Sequence, residues 1–361
     1  MEQGGVERGV VEVNRALVAA GWQNVVVSAG GRLARQIELD GGRHLEMDVK
    51  SKNPFTYFSR AAKLRRLLAA ERPDVVCAHS RVPAWLFVWA NRTLGIKWIS
   101  FAHGANSVSR YSAVMTRGDL TVTPSTYIAT HLKTHYGLPD ERVRIIPRAI
   151  DRSQFDISRL DADFIAAKRA AWGLEGKTVV MGVGRITQLK GYDTLIRAVG
   201  LAGNGFKLVI VGEAEELRRD VETSLHQLVK GLGLEDQVVF AGNQRKVAEC
   251  LAMADMVVSS NTRKPEAFGR SMMEALAMGK PVVAKAFGGA LDIVEDGVNG
   301  ALVPADTLEG DEAEAFARAI ARVSRMTFGD LRAAALEKFS FERMIERTMA
   351  VYKELTDTKG K

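Results

Sequence analysis

Two carboxylates, Glu266 and Glu274, stand either side of Phe268-Gly269 in the stretch PEAFGRSMMEALAMGKPVVA from Pro265. Paired acids are the tools of glycoside hydrolysis, one as proton donor and one as base or nucleophile. On a continuous helix these two would lie about 12 Å apart along the axis and be turned by roughly 80°, a poor dyad. Gly269 suggests a different arrangement, with Glu266 on a loop and Glu274 inside the helix that follows. Two acids so placed could grip separate parts of one long ligand.

Upstream, the apolar run TVVMGVG from Thr178 leads into GRITQLKG, which sets Arg185 and Lys190 between Gly184 and Gly191. A strand, a glycine that admits close backbone approach and two cations suit a diphosphate better than a single carboxylate. An ordinary strand-to-helix loop with incidental charges is the competing reading. The helix entry at FGR offers free backbone N–H groups, which again favour an anion. Glu274 would repel phosphate, but a carboxylate beside a nucleotide can accept hydrogen bonds from ribose hydroxyls. Glu266 could do the same for sugar hydroxyls. Ribose, diphosphate and hexose together make a nucleotide sugar.

The elements that must position these groups form a repeating pattern. Short β-branched runs end in small or polar residues and are followed by helical stretches: NVVVSAG from Asn24, DVVCAHS from Asp74, KWISFAHG from Lys97, LTVTPS from Leu120 and VRIIPR from Val143. A second set comprises TVVMGVG, KLVIVGE from Lys207, QVVFAGN from Gln237, MVVSSN from Met256 and PVVAKAFGG from Pro281. Continuous apolar strands alternating with helices imply parallel sheets covered on both faces. The expected fold is α/β, two Rossmann-like doubly wound domains facing across a cleft, over 1–150 and 151–338, with ligands at the carboxyl ends of the strands. A C-terminal helix over 339–361 is expected to cross back to the first domain.

These motifs resemble the retaining glycosyltransferases of family four, the glycogen-synthase-like and mannosyltransferase-like group with the GT-B fold. GRITQLKGYDTLIRA, LVIVGE, VVFAGN, PEAFGRSMMEALAMGKPVVA and GGALDIVEDGVNGALVP carry the resemblance, with GGVER from Gly4, FAHG ending at His103 and Gly104, TPS from Thr123 and IPRAIDRSQF from Ile146. It implies that Arg185 and Lys190 neutralise the leaving diphosphate beside Gly184. It further implies that Glu266 holds donor-sugar hydroxyls, with Ala267, Phe268 and Gly269 nearby, and that Glu274 holds the ribose. His103 would sit beside the reacting sugar, against the plainer reading of a satisfied histidine at a strand end. Gly4 and Gly5 would let the first loop approach the diphosphate. Two features depart from the family. Met1 lies three residues from Gly4, so either the start is placed too late or the amino-terminal sheet is short by its first strand. Arg148 stands where an IPNG-like segment has asparagine.

Composition narrows the class. The chain has 361 residues with 47% hydrophobic and 26% charged residues, a globular balance long enough for two cores. Cys77 and Cys250 are the only cysteines, which fits a reducing, cytoplasmic setting. The apolar run VPAWLFVWA from Val82 is too short to span a bilayer, and the polar start does not read as a signal peptide. Of the net charge of +7, the segment from Lys50 to Arg72 contributes six, with Lys50, Lys52, Arg60, Lys63, Arg65, Arg66 and Arg72 against Glu71. Tyr57, Ala61, Leu64 and Leu68 recur there at helical spacing, so this is either an ordinary surface helix or one that lies on the inner membrane face.

Three other patterns carry less. Asp161-Ala162-Asp163 is a D-x-D, but it opens a helical stretch and suits a cap. His131 and His135 lack the glutamate of a zinc peptidase, and GVGRIT lacks the last glycine of a dinucleotide fingerprint. The expected activity is therefore metal-independent, cofactor-free hexosyl transfer from a nucleotide diphosphate sugar to a glycan or lipid-linked acceptor. The expected setting is lipopolysaccharide, exopolysaccharide or glycolipid synthesis, with no nucleic-acid partner. The alternatives are another GT-B nucleotide-sugar enzyme such as an epimerase, or a nucleic-acid-binding protein using the basic segment.

Overall fold

Each β-branched run read from the sequence as a strand is one in the computed structural model, which describes residues 5–308 and 310–357, whereas VPAWLFVWA lies in the helix Arg81–Ala90. Two compact units emerge: the chain up to Arg148 together with Glu342 onward, and Ala149–Phe341.

In the first unit, β1 (Val25–Ser28) pairs in parallel with β2 (Arg43–Glu46), and β3 (Val75–Ala78), β4 (Lys97–Phe101), β5 (Leu120–Thr123) and β6 (Val143–Ile145) form a second parallel sheet in that order. The strands thus lie in two sheets, not in the one shortened sheet expected. Strand β2, RHLE, carries too little apolar alternation to be found from sequence. The helix Tyr57–Glu71 buries Ala61, Leu64 and Leu68, as their spacing requires, and ends at Arg72 in the left-handed region with φ 47°. Arg60 does not follow the basic face. It is buried, and its guanidinium donates to Thr56 Oγ1 at 3.1 Å and to the Asn53 and Asp48 carbonyls at 3.2 and 3.3 Å. It ties down the loop before its own helix. The helix Phe341–Thr356 belongs to this unit, with Tyr352 packed near Trp22 at 6.2 Å between ring centroids and Glu354 paired with Arg144 of β6.

The second unit is one parallel sheet of β7 (Thr178–Val183), β8 (Phe206–Val211), β9 (Val238–Gly242), β10 (Met256–Ser259), β11 (Val282–Lys285) and β12 (Gly300–Val303), in the order β12-β11-β10-β7-β8-β9. Side chains alternate between two cores. Val179, Met181, Val209 and Val211 enter one, and Val180, Leu208 and Ile210 the other, because successive strand residues point to opposite faces. Helices cover both, so the strands read as unbroken apolar runs. Asp161 caps the helix Ala162–Ala171, accepting from Phe164 N at 2.9 Å, which accounts for half of the D-x-D.

One charged pair lies inside this unit. Lys285 Nζ, at the end of β11, is 2.5 Å from Glu312 at the start of the helix Glu312–Val323, with side-chain exposures of 7% and 6%. A buried charge left without its partner costs far more than the intact pair contributes. Lys285→Met alone is expected to destabilise the chain by about 3–5 kcal/mol in urea unfolding, and adding Glu312→Leu should restore most of that. Equal losses in the single and double variants would show that the charge pairing is not what matters there.

Candidate functional site

Strand order reverses between β7 and β10: β8 and β9 extend from one side of β7, β11 and β12 from the far side of β10. Crossovers leave such a point in opposite directions, and the gap outside its carboxyl ends is where open parallel sheets bind ligands. The loops that leave it are 184–191 and 260–269, the two that carry the cations and Glu266.

The loops are seated on one another. Gly191 has φ +63°, and a Cβ there would fall 2.0 Å from the Ser260 carbonyl oxygen, so only glycine permits this approach. Ser260 Oγ donates to the Lys190 carbonyl at 2.9 Å, and Arg263 donates to the Gln188 carbonyl at 2.8 Å while pairing with Asp193 at 2.7 Å. Glu266 is held from behind: its carbonyl accepts from Gly289 N at 2.8 Å, and a Cβ on Gly289 would meet the Phe268 backbone at 2.5 Å. Phe268 itself is buried edge-on to Phe339, with centroids 5.9 Å apart.

At the centre Lys190 Nζ lies 3.0 and 3.1 Å from the two Glu266 carboxylate oxygens, both side chains mostly shielded from water. Beneath them Tyr192 Oη donates to the Gly184 carbonyl at 3.0 Å. Burial, and then the nearby Glu266 carboxylate, push this phenol well above its ordinary range, so it remains a donor.

The remaining carboxyl-terminal candidates are less tightly gathered. Arg185 is largely exposed and pairs with Glu215 from the loop after β8. Ala267 lies between Glu266 and Phe268, and Gly269, at φ +101°, opens the helix Arg270–Ala277. Glu274 stands on that helix with Arg270 Nε at 3.4 Å, as its position one turn on from Arg270 dictates. Glu215, Ser260, Arg263 and Tyr192 were not singled out from sequence. The acids of GEAEE directly after β8 were the available signal for Glu215. Among the described residues, no three His, Cys, Asp or Glu side chains gather as a metal site would require.

The amino-terminal candidates belong to the other unit. Gly5 begins the helix Gly5–Ala19, and Gly4 lies outside the described residues. His103, just beyond β4, is one of a pair. Its Nε2 is 3.1 Å from Nδ1 of His79, just beyond β3, and its Nδ1 is 2.6 Å from Arg148 Nη2. His79 stacks on Phe101 with centroids 4.5 Å apart. Burial first and Arg148 second hold both imidazoles in the neutral form, His79 pushed down to about 4 and His103 well below its ordinary value. His79, missed from sequence, is next to last in DVVCAHS, one residue past β3, as His103 is next to last in KWISFAHG, two residues past β4. His131, by contrast, meets the Asn106 carbonyl at 3.2 Å and the His135 ring at 4.7 Å between centroids.

Residues 3–154 match the family described as Glycosyltransferase Family 4, and residues 164–337 match Glycosyl transferases group 1. The lipopolysaccharide core biosynthesis glycosyltransferase LpsE of Rhizobium meliloti is 29% identical over 336 residues, 89% of this chain and 86% of that one. Alignments to the first two curated relatives span 66% of this chain but only 53% and 61% of those proteins' own lengths. Among solved structures, a glycosyltransferase of Rickettsia africae superposes with a TM-score of 0.87 at 25% identity, over 100% of this chain and 98% of that one. HepE of Anabaena, crystallised with UDP, does so with a TM-score of 0.80 at 22% identity over 98% of each chain. With two parallel-sheet units and both halves matched, the chain belongs to the GT-B glycosyltransferases of family four.

Proposed function

We propose that the chain is a retaining, metal-independent hexosyltransferase that moves a sugar from a nucleotide diphosphate donor to a glycan or lipid-linked acceptor. Lipopolysaccharide, exopolysaccharide or glycolipid synthesis is the proposed setting. The observation that carries this reading is the Lys190–Glu266 pair at the strand-order reversal, a cation and an acceptor 3.0 Å apart on interlocked loops. A nucleotide sugar needs both on either side of its anomeric centre, one for phosphate oxygens and one for sugar hydroxyls. The relationship to LpsE and the UDP held by HepE support the setting and the donor class.

In this mechanism Lys190 exchanges Glu266 for a diphosphate oxygen, and Arg185 swings from Glu215 to join it. Charge that develops on the leaving phosphate is then met by fixed cations. Glu266, released, accepts from sugar hydroxyls, with the backbone of Ala267, Phe268 and Gly269 alongside, while Glu274 accepts from the ribose and Gly4 and Gly5 approach the diphosphate. Attack comes from the face the phosphate leaves, and the departing phosphate takes the acceptor proton, as the resemblance to retaining glycosyltransferases implies. No cofactor takes part.

We further propose peripheral attachment to an anionic, cytoplasmic membrane face. No described helix is long and apolar enough to cross a membrane, but the helix Tyr57–Glu71 leaves Arg65 and Arg66 exposed, with Phe55 just before it 93% exposed and Phe58 in its first turn 63% exposed. Each cation near such a surface is worth about 1 kcal/mol, and the attraction is screened by salt.

Four measurements test these statements. Arg185→Ala or Lys190→Ala should lower transfer by more than ~100-fold, the loss of one strong transition-state donor; near-normal turnover in both variants would refute their roles. In calorimetry Glu274→Gln should weaken nucleoside diphosphate binding, whereas Glu266→Gln should spare it and relax the choice of sugar; identical effects would overturn the division of labour. Cosedimentation with anionic vesicles should fall at high salt and on changing Lys63, Arg65 and Arg66 to glutamine together. Arg60→Gln should instead lower thermal stability, since that side chain holds the loop.

A further inference from the structure

The His79–His103–Arg148 cluster has a direction. A guanidinium has hydrogens to give and no lone pair with which to accept, so Arg148 Nη2, 2.6 Å from His103 Nδ1, makes that nitrogen an acceptor. Neutral His103 then carries its hydrogen on Nε2, which lies 3.1 Å from His79 Nδ1 and donates to it. His79 Nδ1 is thereby an acceptor too, and the hydrogen of His79 sits on its own Nε2. That N–H has no partner among the described residues. Both nitrogens of His103, by contrast, are already engaged.

The surroundings hold this arrangement. His79 lies nearly parallel to Phe101 and to His103, with interplanar angles of 15° and 14°. On the far side, Arg148 lies against the helix Gly5–Ala19, where a Cβ at Gly9 would come within 2.9 Å of Nη1. The arginine that departs from the family pattern is thus built in between a helix and an imidazole.

We infer that His79, and not His103, presents the available N–H of this cluster to a phosphate-type oxygen, and that Arg148 acts as the positioning residue that sets its direction. Each hydrogen bond in such a chain polarises the next, and the chain begins at a permanent cation, so the terminal N–H is biased toward an anionic oxygen. His79 also directly precedes Ser80, whose side chain caps none of the free N–H groups of the helix Arg81–Ala90, and these add to the same preference. Because burial and Arg148 keep the His79 ring neutral well below pH 7, it contributes a dipole rather than a charge. The substrate assignment rests on the nucleotide-sugar reading; the direction of the chain does not.

Nitrogen-15 spectra of histidine-labelled full-length protein test the direction. At pH 7 His103 should be in the Nε2–H form, should remain so in His79→Phe because Arg148 still holds it, and should lose that form in Arg148→Ala. An Nδ1–H or imidazolium form of His103 in the wild type, or indifference to Arg148→Ala, would overturn the chain. Titration with inorganic pyrophosphate tests the ligand. The His79 Nε2–H resonance should shift on addition, and His79→Phe, which keeps the ring stack, should weaken pyrophosphate binding at least ~5-fold, with partial rescue in His79→Gln. Unchanged binding in His79→Phe with an intact melting transition would sink the assignment. Failure of the hexosyltransferase reading would appear separately, as pyrophosphate bound and tautomers as stated but no sugar transferred.

Discussion

The contact between loops 184–191 and 260–269 is the constraint on which the carboxyl-terminal site depends. Lys190 and Glu266 are 76 positions apart in the chain and share one ion pair, and neither could hold its place alone. A half-buried lysine without an anion or a half-buried glutamate without a cation would turn outward to water. Together they keep the cleared space at the strand-order reversal defined. The backbone beneath them makes this possible: Gly191 against Ser260, and Gly288-Gly289 under Pro265–Phe268. Side chains at those glycines would separate the loops before any charge could meet.

This arrangement has an energetic consequence for binding. The charged groups assigned to phosphate and sugar are already paired within the protein, Lys190 with Glu266 and Arg185 with Glu215. On the proposed reading a ligand would exchange partners instead of creating charge contacts from nothing, and the net gain per contact would be modest. Selectivity would then come from matching two exchanges at once, which a diphosphate joined to a sugar could do and a lone phosphate could not. The exposed Arg185 pair is the weaker of the two because water screens it.

The amino-terminal unit is organised differently. Its sheets are divided, and its polar cluster is set by aromatic stacking and by one arginine, with no loop-to-loop ion pair within that cluster among the described residues. Burial first, and Arg148 second, lower the basicity of both histidines, and in the inferred chain Arg148 sets where their hydrogens lie. A strand-end histidine pair in water would titrate near neutral pH; here it is a fixed array of dipoles. The basic helix of the same unit shows the opposite use of arginine, with Arg65 and Arg66 in solvent and Arg60 consumed by three loop acceptors.

Much of this was legible before any coordinates. β-branched runs bounded by glycine become strands because both faces of a parallel sheet are buried, and that pattern is local enough to read. So is the placing of Arg185, Lys190 and Glu266 on loops after such runs, and the capping role of Asp161. Strand β2 was not legible, since RHLE has no alternation. Nor was the fate of individual charges. Nothing near Arg60 in sequence distinguishes it from Arg65, nothing near Arg185 names Glu215, and His79 looks like any strand-end histidine until Arg148 and His103 are beside it. Local pattern decides which residues form strands, loops and helices. Only the tertiary structure decides which charges and lone pairs meet, because those partners lie tens of residues away and the energy of a polar group is set by what surrounds it.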